Sequence, residues 1–122
     1  MLIFAQQTHT MIVERKEVRD DNGNLGYVEA VYKSENILNT VYFVESQRLY
    51  IGFSRGNMYS YENIDPELYQ EFEDAESHGK FFHSRINRKF PFRKEYTLNP
   101  SELQEYRDIV KNNSIEEQDD ER

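Results

Sequence analysis

The sequence predicts an α+β fold, in which a small antiparallel β-sheet of about four or five strands precedes two or three helices. Short segments rich in Val, Ile, Tyr and Phe fill the first half of the chain, and Gly- or Asn-containing turns separate them. Two helix-start signals follow, at Asp65-Pro66 and Asn99-Pro100. Because strands come first and helices second, we expect the helices to pack on an antiparallel sheet. The length predicts one domain, placed at residues 1–111.

The strands are placed by turn signals and by alternation of apolar residues. Asn22-Gly23 predicts a hairpin between two β-rich segments, because Asn-Gly accepts the positive φ values of a tight turn. Alternating apolar residues then predict strands with one side against a core, which places Tyr59 and Tyr61 on one face. The expected strand segments are 11–19, 27–32, 37–44, 49–53 and 58–61.

Capping residues predict where the helices begin and end. Asp65 as N-cap and Pro66 at the first helical position predict a helix that Gly79 ends. Phe82 and Ile86 begin a second helical stripe, which Pro91 ends.

A capping box predicts the last helix, since Asn99 is followed three residues later by Glu102. Residues 112–122 are acidic and nearly free of apolar side chains, which predicts a disordered tail. The apolar helix stripes and the nine Tyr and eight Phe residues predict a symmetric dimer or a higher oligomer.

Composition excludes several classes of protein. The formal net charge of −8 disfavours duplex nucleic acid as a partner, because phosphate neutralisation supplies most of such affinity. The absence of cysteine excludes disulfides and thiolate chemistry, and the three histidines lack the spacing of metal ligands. No apolar run has the roughly 20 residues of a membrane helix. We therefore expect a cytoplasmic protein without a metal, a cofactor or a membrane partner.

The charge balance inverts in the basic stretch, defined as Lys80–Lys94. It holds six Lys or Arg residues, four Phe residues and no acid, whereas the remaining residues hold nine basic and all 23 acidic side chains. Aromatic faces and guanidinium groups are what a nucleotide site needs. The candidate ligand-binding residues are Phe82, Arg85, Asn87, Arg88, Arg55, Tyr61 and Arg107. An amphipathic helix with buried Phe and solvated cations is the structural alternative.

Spacing assigns roles to these candidates. Phe82 and Arg85 are three residues apart, so in a helix they share a face, which Arg88 continues one turn later. A base stacked on Phe82 then has its phosphates along the two arginines. Asn87 offers hydrogen bonds to a base edge or a ribose, and Arg107 approaches the pocket of a partner subunit in a dimer.

The sequence gives little support to an enzyme. No Ser-His-acid spacing, Gly-rich phosphate loop or metal-ligand cluster is present. His83 and Ser84 are neighbours, and neighbours in a helix do not face each other. An acidic module that binds and inhibits a host protein remains an alternative, since the charge outside the basic stretch is strongly negative.

Residues 34–90 resemble the KTSR domain, a short bacterial and phage module. The resemblance is carried by Ser34, Ile37, Leu49-x-Ile51-x-Phe53, Gly56, Tyr59-x-Tyr61, Ile64, Tyr69, Ala75-x-Ser77-x-Gly79-Lys80-Phe81-Phe82 and Ile86. This family is also found at the end of some lysyl-tRNA synthetases. It implies an RNA-binding module, which is the second functional hypothesis.

The size, the order of elements and the Phe- and Arg-rich character of the basic stretch also resemble the phage anti-Thoeris sponge proteins. That resemblance implies a dimer that sequesters glycocyclic ADP-ribose, the messenger of bacterial TIR-domain immunity, without cleaving it. Phe82 would then stack on adenine, with Arg85 and Arg88 on the pyrophosphate. The leading prediction is therefore a non-catalytic sponge for a small cyclic nucleotide. An RNA-binding module and an acidic inhibitor of a host factor are the alternatives.

Overall fold

The computed structural model of the chain describes residues 11–120, and the side chains of residues 11–113. Six strands form one antiparallel sheet in the order of the sequence. They are β1 Ile12–Arg19, β2 Leu25–Tyr32, β3 Ile37–Phe43, β4 Arg48–Phe53, β5 Asn57–Tyr61 and β6 Phe92–Thr97. The predicted α+β class is confirmed. The sheet has more strands than expected because β6, at the edge beside β5, was not predicted.

The first hairpin turns where Asn-Gly predicted. Gly23 has a φ of 85°, and its backbone N–H donates to the carbonyl oxygen of Asp20. The Asp20 carboxylate accepts from the backbone N–H groups of Asn22 and Asn24 at 2.9 Å each. These bonds also hold the pKa of Asp20 below its usual value. The positive φ is the reason that glycine is needed at this turn.

Among residues 11–120, three α-helices and one π-helical turn accompany the sheet. They are α1 Pro66–Asp74, α2 His78–Phe81 with the π-helical turn Phe82–Ile86 directly after it, and α3 Pro100–Asp120. The predicted caps of the two longer helices are confirmed. The Asp65 carboxylate accepts from the Leu68 N–H at 2.8 Å. At α3 the Asn99 side chain accepts from the Glu102 N–H, and the Glu102 carboxylate accepts from the Asn99 N–H.

The prediction that Gly79 ends the first helix is wrong. Helix α1 ends at Asp74, and Gly79 lies inside α2. A Cβ at Gly79 would stand 3.0 Å from Nδ2 of Asn36, in the loop between β2 and β3. Glycine at this position therefore allows the β2–β3 loop to approach α2 closely, and it has no role as a helix terminator.

Helices cover both faces of the sheet. On the front face, defined by Val28, Leu49 and Tyr61, α1, α2 and the π-helical turn build the main core. The buried helix-side residues of that core are Ile64, Tyr69, Phe72, Phe82 and Ile86. On the back face, a smaller cluster of Leu38, Met58 and Leu98 packs against Leu103 and Tyr106 at the start of α3. The sheet therefore lies between two helical layers over part of its area.

Helix α3 crosses the back face and reaches the first hairpin, where it contacts β1 and β2. Its backbone is helical through Asp120, whereas composition predicted a disordered tail at 112–122, of which residues 121 and 122 lie outside the described residues. None of the helices described is long and apolar enough to cross a membrane.

Candidate functional site

The basic stretch spans four structural settings. It begins in α2, continues through the π-helical turn and the following loop, and enters β6. Phe82 is buried, and Phe81 and Phe90 are half-buried against the main core. The fourth ring, that of Phe92, is 59% exposed. Most of the aromatic content of the stretch therefore serves the core, and one ring is presented to solvent.

The structure does not place Phe82 where a base can stack on it. Its side chain is 7% exposed and packs edge-on against Phe53 and Tyr61, with ring centroids 5.1 and 5.5 Å apart. Tyr61 is itself buried at 4% exposure, and burial raises its pKa. These two rings belong to the core, so the role predicted for them as ligand-binding side chains is not supported by their placement.

Arg85 does not share a face with Phe82. Its guanidinium pairs with Glu71 of α1 at 2.8 Å and lies over the ring of Phe81, 5.1 Å from the centroid. The reason is the π-helical turn, in which the Asn87 N–H donates to the carbonyl oxygen of Phe82, five residues earlier. Phe82 and Arg85 were expected to share a face because residues three apart do so in an α-helix, and the wider π-helical turn changes that angular spacing.

Arg88 and Asn87 end the turn and do not continue the predicted array. Asn87 caps it through its backbone, and Arg88 has a φ of 67°, a left-handed conformation that redirects the chain. The Arg88 side chain is exposed. Within the described residues it has no hydrogen bond or ion pair, so it is available to an anion near the start of β6.

The exposed ring of Phe92 is part of an aromatic platform, defined by Tyr59, Phe92 and Lys94 on the front face. Phe92 pairs with Tyr61 across the β5–β6 ladder, and Lys94 pairs with Tyr59. All four side chains therefore lie on the same side of the sheet. The Phe92 centroid is 6.1 Å from Tyr61, with the rings 26° from parallel, and 6.3 Å from Tyr59. Core rings thus support the platform from beneath.

Sequence reasoning missed this platform, although a signal was present. Phe92 and Lys94 alternate with Arg93 and Glu95, which is the period of a strand. The Arg93 guanidinium pairs with Glu95 at 3.1 Å, and the Glu95 carboxylate accepts from the Ser60 hydroxyl at 2.6 Å, on the back face. The Ser60 hydrogen bond is also the main cause of the lowered pKa of Glu95.

Two clefts hold the other predicted arginines. The Arg55 cleft has a volume of about 230 Å³ and lies between the β4–β5 turn and α2, with Phe53, Phe82 and His83 in its walls. The Arg107 cleft has a volume of about 520 Å³ and lies between the β2–β3 loop and α3. Its wall includes Lys33, Ser34, Glu35, Leu38 and Val110.

Ser54 lines both clefts, so they adjoin each other. Arg55 and Arg107 are exposed and make no hydrogen bond or ion pair within the part of the chain that the structure describes. An arginine without an internal partner retains all its donors for an anionic ligand. Of the seven predicted ligand-binding residues, Arg55 and Arg107 are brought near each other, together with the buried Phe82 in the wall of the Arg55 cleft. Tyr61 lies in the core.

No metal site is evident among the described residues, where no group of three or more His, Asp or Glu side chains could hold an ion. Of the two histidines that the structure describes, His78 is the more buried, at 2% exposure, and it contacts Tyr32 and Phe72. Its burial lowers its pKa. His83 is exposed in the wall of the Arg55 cleft. The site therefore offers rings and cations.

Comparison with known proteins supports a KTSC-like domain. Residues 33–90 match the family model of the KTSC domain. Among solved structures, the chain is similar to a KTSC domain protein from Yersinia pestis, with 25% sequence identity and a TM-score of 0.52. The match covers 68% of this chain and 100% of the other. No curated protein matches the chain significantly.

These matches correct the resemblance drawn from the sequence. The family they support over nearly the same residues is KTSC, and neither match supports a KTSR domain or a likeness to anti-Thoeris sponge proteins. The matched segment 33–90 contains β3, β4, β5, α1, α2 and the π-helical turn. Phe92, Lys94 and Arg107 lie outside it. The platform and the Arg107 cleft therefore each combine residues from inside and outside the matched segment.

Proposed function

We propose that the chain binds single-stranded nucleic acid on the aromatic platform and leaves it chemically unchanged. The observation that carries the proposal is Phe92, whose ring is 59% exposed on the front face of the sheet beside Tyr59. A solvent-exposed ring supported by core rings is a stacking surface for an unpaired base. Lys94, directly across the ladder from Tyr59, is placed to neutralise a phosphate of the same nucleotide.

Local charge supports the same proposal. The four cations Arg88, Lys89, Arg93 and Lys94 stand within seven consecutive residues that contain no acid. Arg93 is paired with Glu95 on the back face, which leaves Lys94 on the platform and Arg88 and Lys89 in the loop that leads into β6. The net charge of −8 opposes long polyanions, so the contact is expected to be short and sensitive to salt. With three phosphates neutralised, the slope of log K against log salt should be about −2.

The cyclic-nucleotide sponge receives less support from this geometry. A sponge encloses its ligand, and small-molecule pockets have volumes of about 300–1,000 Å³. The Arg55 cleft, at about 230 Å³, is smaller than that. Phe82 is in its wall but buried, and Arg85 is engaged by Glu71. The Arg107 cleft, at about 520 Å³, is within that range, but its described lining includes no ring of the basic stretch. An open platform suits a base in a flexible strand better than a compact cyclic molecule.

The test measures fluorescence anisotropy with labelled hexanucleotides of uridine and of deoxythymidine, over a series of salt concentrations. Replacing Phe92 by Leu keeps an apolar side chain and removes the ring. Stacking on an aromatic side chain contributes about 1–3 kcal/mol per base, so the variant should bind at least about fivefold more weakly. Phe92→Tyr should restore binding. RNA and DNA arms distinguish a ribose-dependent site from a general one, because only RNA offers the 2′-hydroxyl.

A matched control comes from the opposite face. Phe43 is also an exposed aromatic, at 36%, but lies with Tyr27 and Tyr50 on the back face. Phe43→Leu should leave nucleic-acid binding unchanged. If Phe92→Leu binds as well as the wild type, or Phe43→Leu loses as much affinity, the platform is not the site. Cyclic ADP-ribose displacing the labelled oligonucleotide would instead favour the sponge, and recovery of a cleaved oligonucleotide would favour an enzyme.

A further inference from the structure

We propose that the bound strand leaves the aromatic platform through the Arg55 cleft and that its next phosphates bind in the Arg107 cleft. This inference rests on the proposed function and extends it, since it assigns a path, a direction across the molecule and a minimum length of strand. The path runs from the β6 edge of the sheet to helix α3.

The first step of the path is a continuous row of rings. Phe92 contacts Tyr59, and the Tyr59 centroid is 5.9 Å from that of Phe53. Phe53 in turn lines the Arg55 cleft. The platform and the cleft therefore share a wall, and a strand that follows the rings enters the cleft without crossing the acidic surface of α1.

The second step is a phosphate position at Arg55. The cleft is too small for a complete nucleotide but has room for a phosphate group, and its wall carries Arg55, Asn36, Asn57 and His83. The side chains of Arg55, Asn36 and Asn57 end in N–H groups that can donate to phosphate oxygens. Arg55 makes no hydrogen bond or ion pair within the described residues, so no internal partner has to be displaced.

The third step is the Arg107 cleft, which adjoins the second position at Ser54. At about 520 Å³ it is large enough for a nucleotide. Its floor offers apolar contact from Leu38 and Val110, while Arg107 and Lys33 bring positive charge from two different elements. Glu35 is the one acid in its wall and opposes an anion there.

The path predicts that affinity depends on length. A dinucleotide covers only the platform, whereas a hexanucleotide reaches Arg107. For the wild type, the uridine hexanucleotide should therefore bind at least about tenfold more tightly than the dinucleotide, because charge-assisted hydrogen bonds to phosphate are added. Arg107→Gln should remove most of that gain and change dinucleotide affinity less than about twofold. Arg55→Gln should act in the same way.

Two further variants sharpen the test. Lys111→Gln removes an exposed cation from α3 one turn beyond Arg107, outside the lining of the cleft, and should alter neither affinity. Glu35→Gln should strengthen hexanucleotide binding, because it removes the opposing charge. Such a gain cannot arise from a damaged fold, so it keeps the test informative even if an arginine variant is destabilised.

The outcomes separate this inference from the proposed function. If Phe92→Leu weakens both oligonucleotides while Arg55→Gln and Arg107→Gln weaken neither, the platform is correct and the path is overturned. If Lys111→Gln lowers the affinity for the hexanucleotide as much as Arg107→Gln does, the added affinity comes from diffuse positive charge and the defined path is wrong. If neither oligonucleotide binds the wild type, the proposed function itself fails.

Discussion

Gly52 in β4 is the position where a single methyl group should do the most damage to the fold. A Cβ built there would overlap Oδ1 of Asn39 and approach Sδ of Met58 to 2.6 Å. Asn39 and Met58 are 4% and 3% exposed, so neither side chain can swing into solvent. Asn39 also donates to the Tyr106 hydroxyl of α3 at 3.4 Å. Gly52→Ala therefore forces the side chains of Asn39 and Met58 to move at the contact between α3 and the sheet.

The size of the effect follows from these contacts. Overpacking a filled interior costs about 1–3 kcal/mol. Losing the bond between Asn39 and Tyr106 adds about 0.5–1.5 kcal/mol. Alanine lowers the conformational entropy of the unfolded chain, which offsets only about 0.4–1 kcal/mol of the loss in stability. We expect Gly52→Ala to lower the free energy of unfolding by about 2–3 kcal/mol, which is roughly 6–12 °C in Tm for a domain of this size.

The assay is urea unfolding followed by circular dichroism, with Gly79→Ala as the matched control. The three atoms nearest an alanine Cβ at Gly79 all belong to Asn36, the closest at 3.0 Å, and this exposed side chain can rotate away. That variant should lie within about 1 kcal/mol of the wild type. The double variant Asn39→Ala/Gly52→Ala should be more stable than the two single effects predict, because truncation makes room for the methyl group. A Gly52→Ala protein within about 0.5 kcal/mol of wild type would refute the reasoning.

Two further predictions concern buried polar groups. Arg15→Ala should lower the free energy of unfolding by about 1–3 kcal/mol in urea unfolding, because the Glu73 side chain, 5% exposed, loses its cation at 3.1 Å and keeps the hydrogen bond from the Tyr69 hydroxyl. Arg19→Ala, at the exposed end of the same strand, is the control. An equal loss of stability in that variant would contradict a specific role for Arg15. For His78, burial lowers the folded pKa, so the unfolded chain takes up a proton that the folded chain excludes. The contribution of neutral His78 should be complete above about pH 6.5 and should fall as pH drops towards the folded pKa. His78→Gln should show a shallower loss of unfolding free energy over that range, and a slope identical to that of the wild type would rule the histidine out.

Local signals in the sequence predicted much of the architecture. Turn and cap residues act over a few positions, so Asn22-Gly23, Asp65-Pro66 and the Asn99–Glu102 pair all appear where they were expected. Strand β6 was missed because Pro91 was interpreted only as the end of the preceding helical stripe, and no strand was assigned after it. The alternation of residues 92–95 is a local signal for a strand, but the partner strand β5 lies more than 30 positions earlier in the chain, so the pairing itself cannot be predicted from a local pattern.

The candidate site was harder to predict than the fold. Arg55 and Arg107 line adjoining clefts, and ligand binding there or at the basic stretch stays a prediction. The geometry failed at Phe82 and Arg85, because a regular helix was assumed where the backbone makes a π-helical turn. Which of four phenylalanines faces solvent depends on the sheet and on tertiary packing. Self-association of the chain stays a prediction.

The strand order of the sheet has a consequence for how the chain acquires its fold. Every strand pairs with its neighbours in sequence, but only β1 to β5 are joined by short loops, so these five strands can assemble by successive hairpin closures. The contact of α3 with β1 and β2 joins parts of the chain roughly 80 residues apart. Such a closure carries the largest loop entropy and should come late. In native-state hydrogen exchange, the amides of α3 should therefore open before those of β3 and β4.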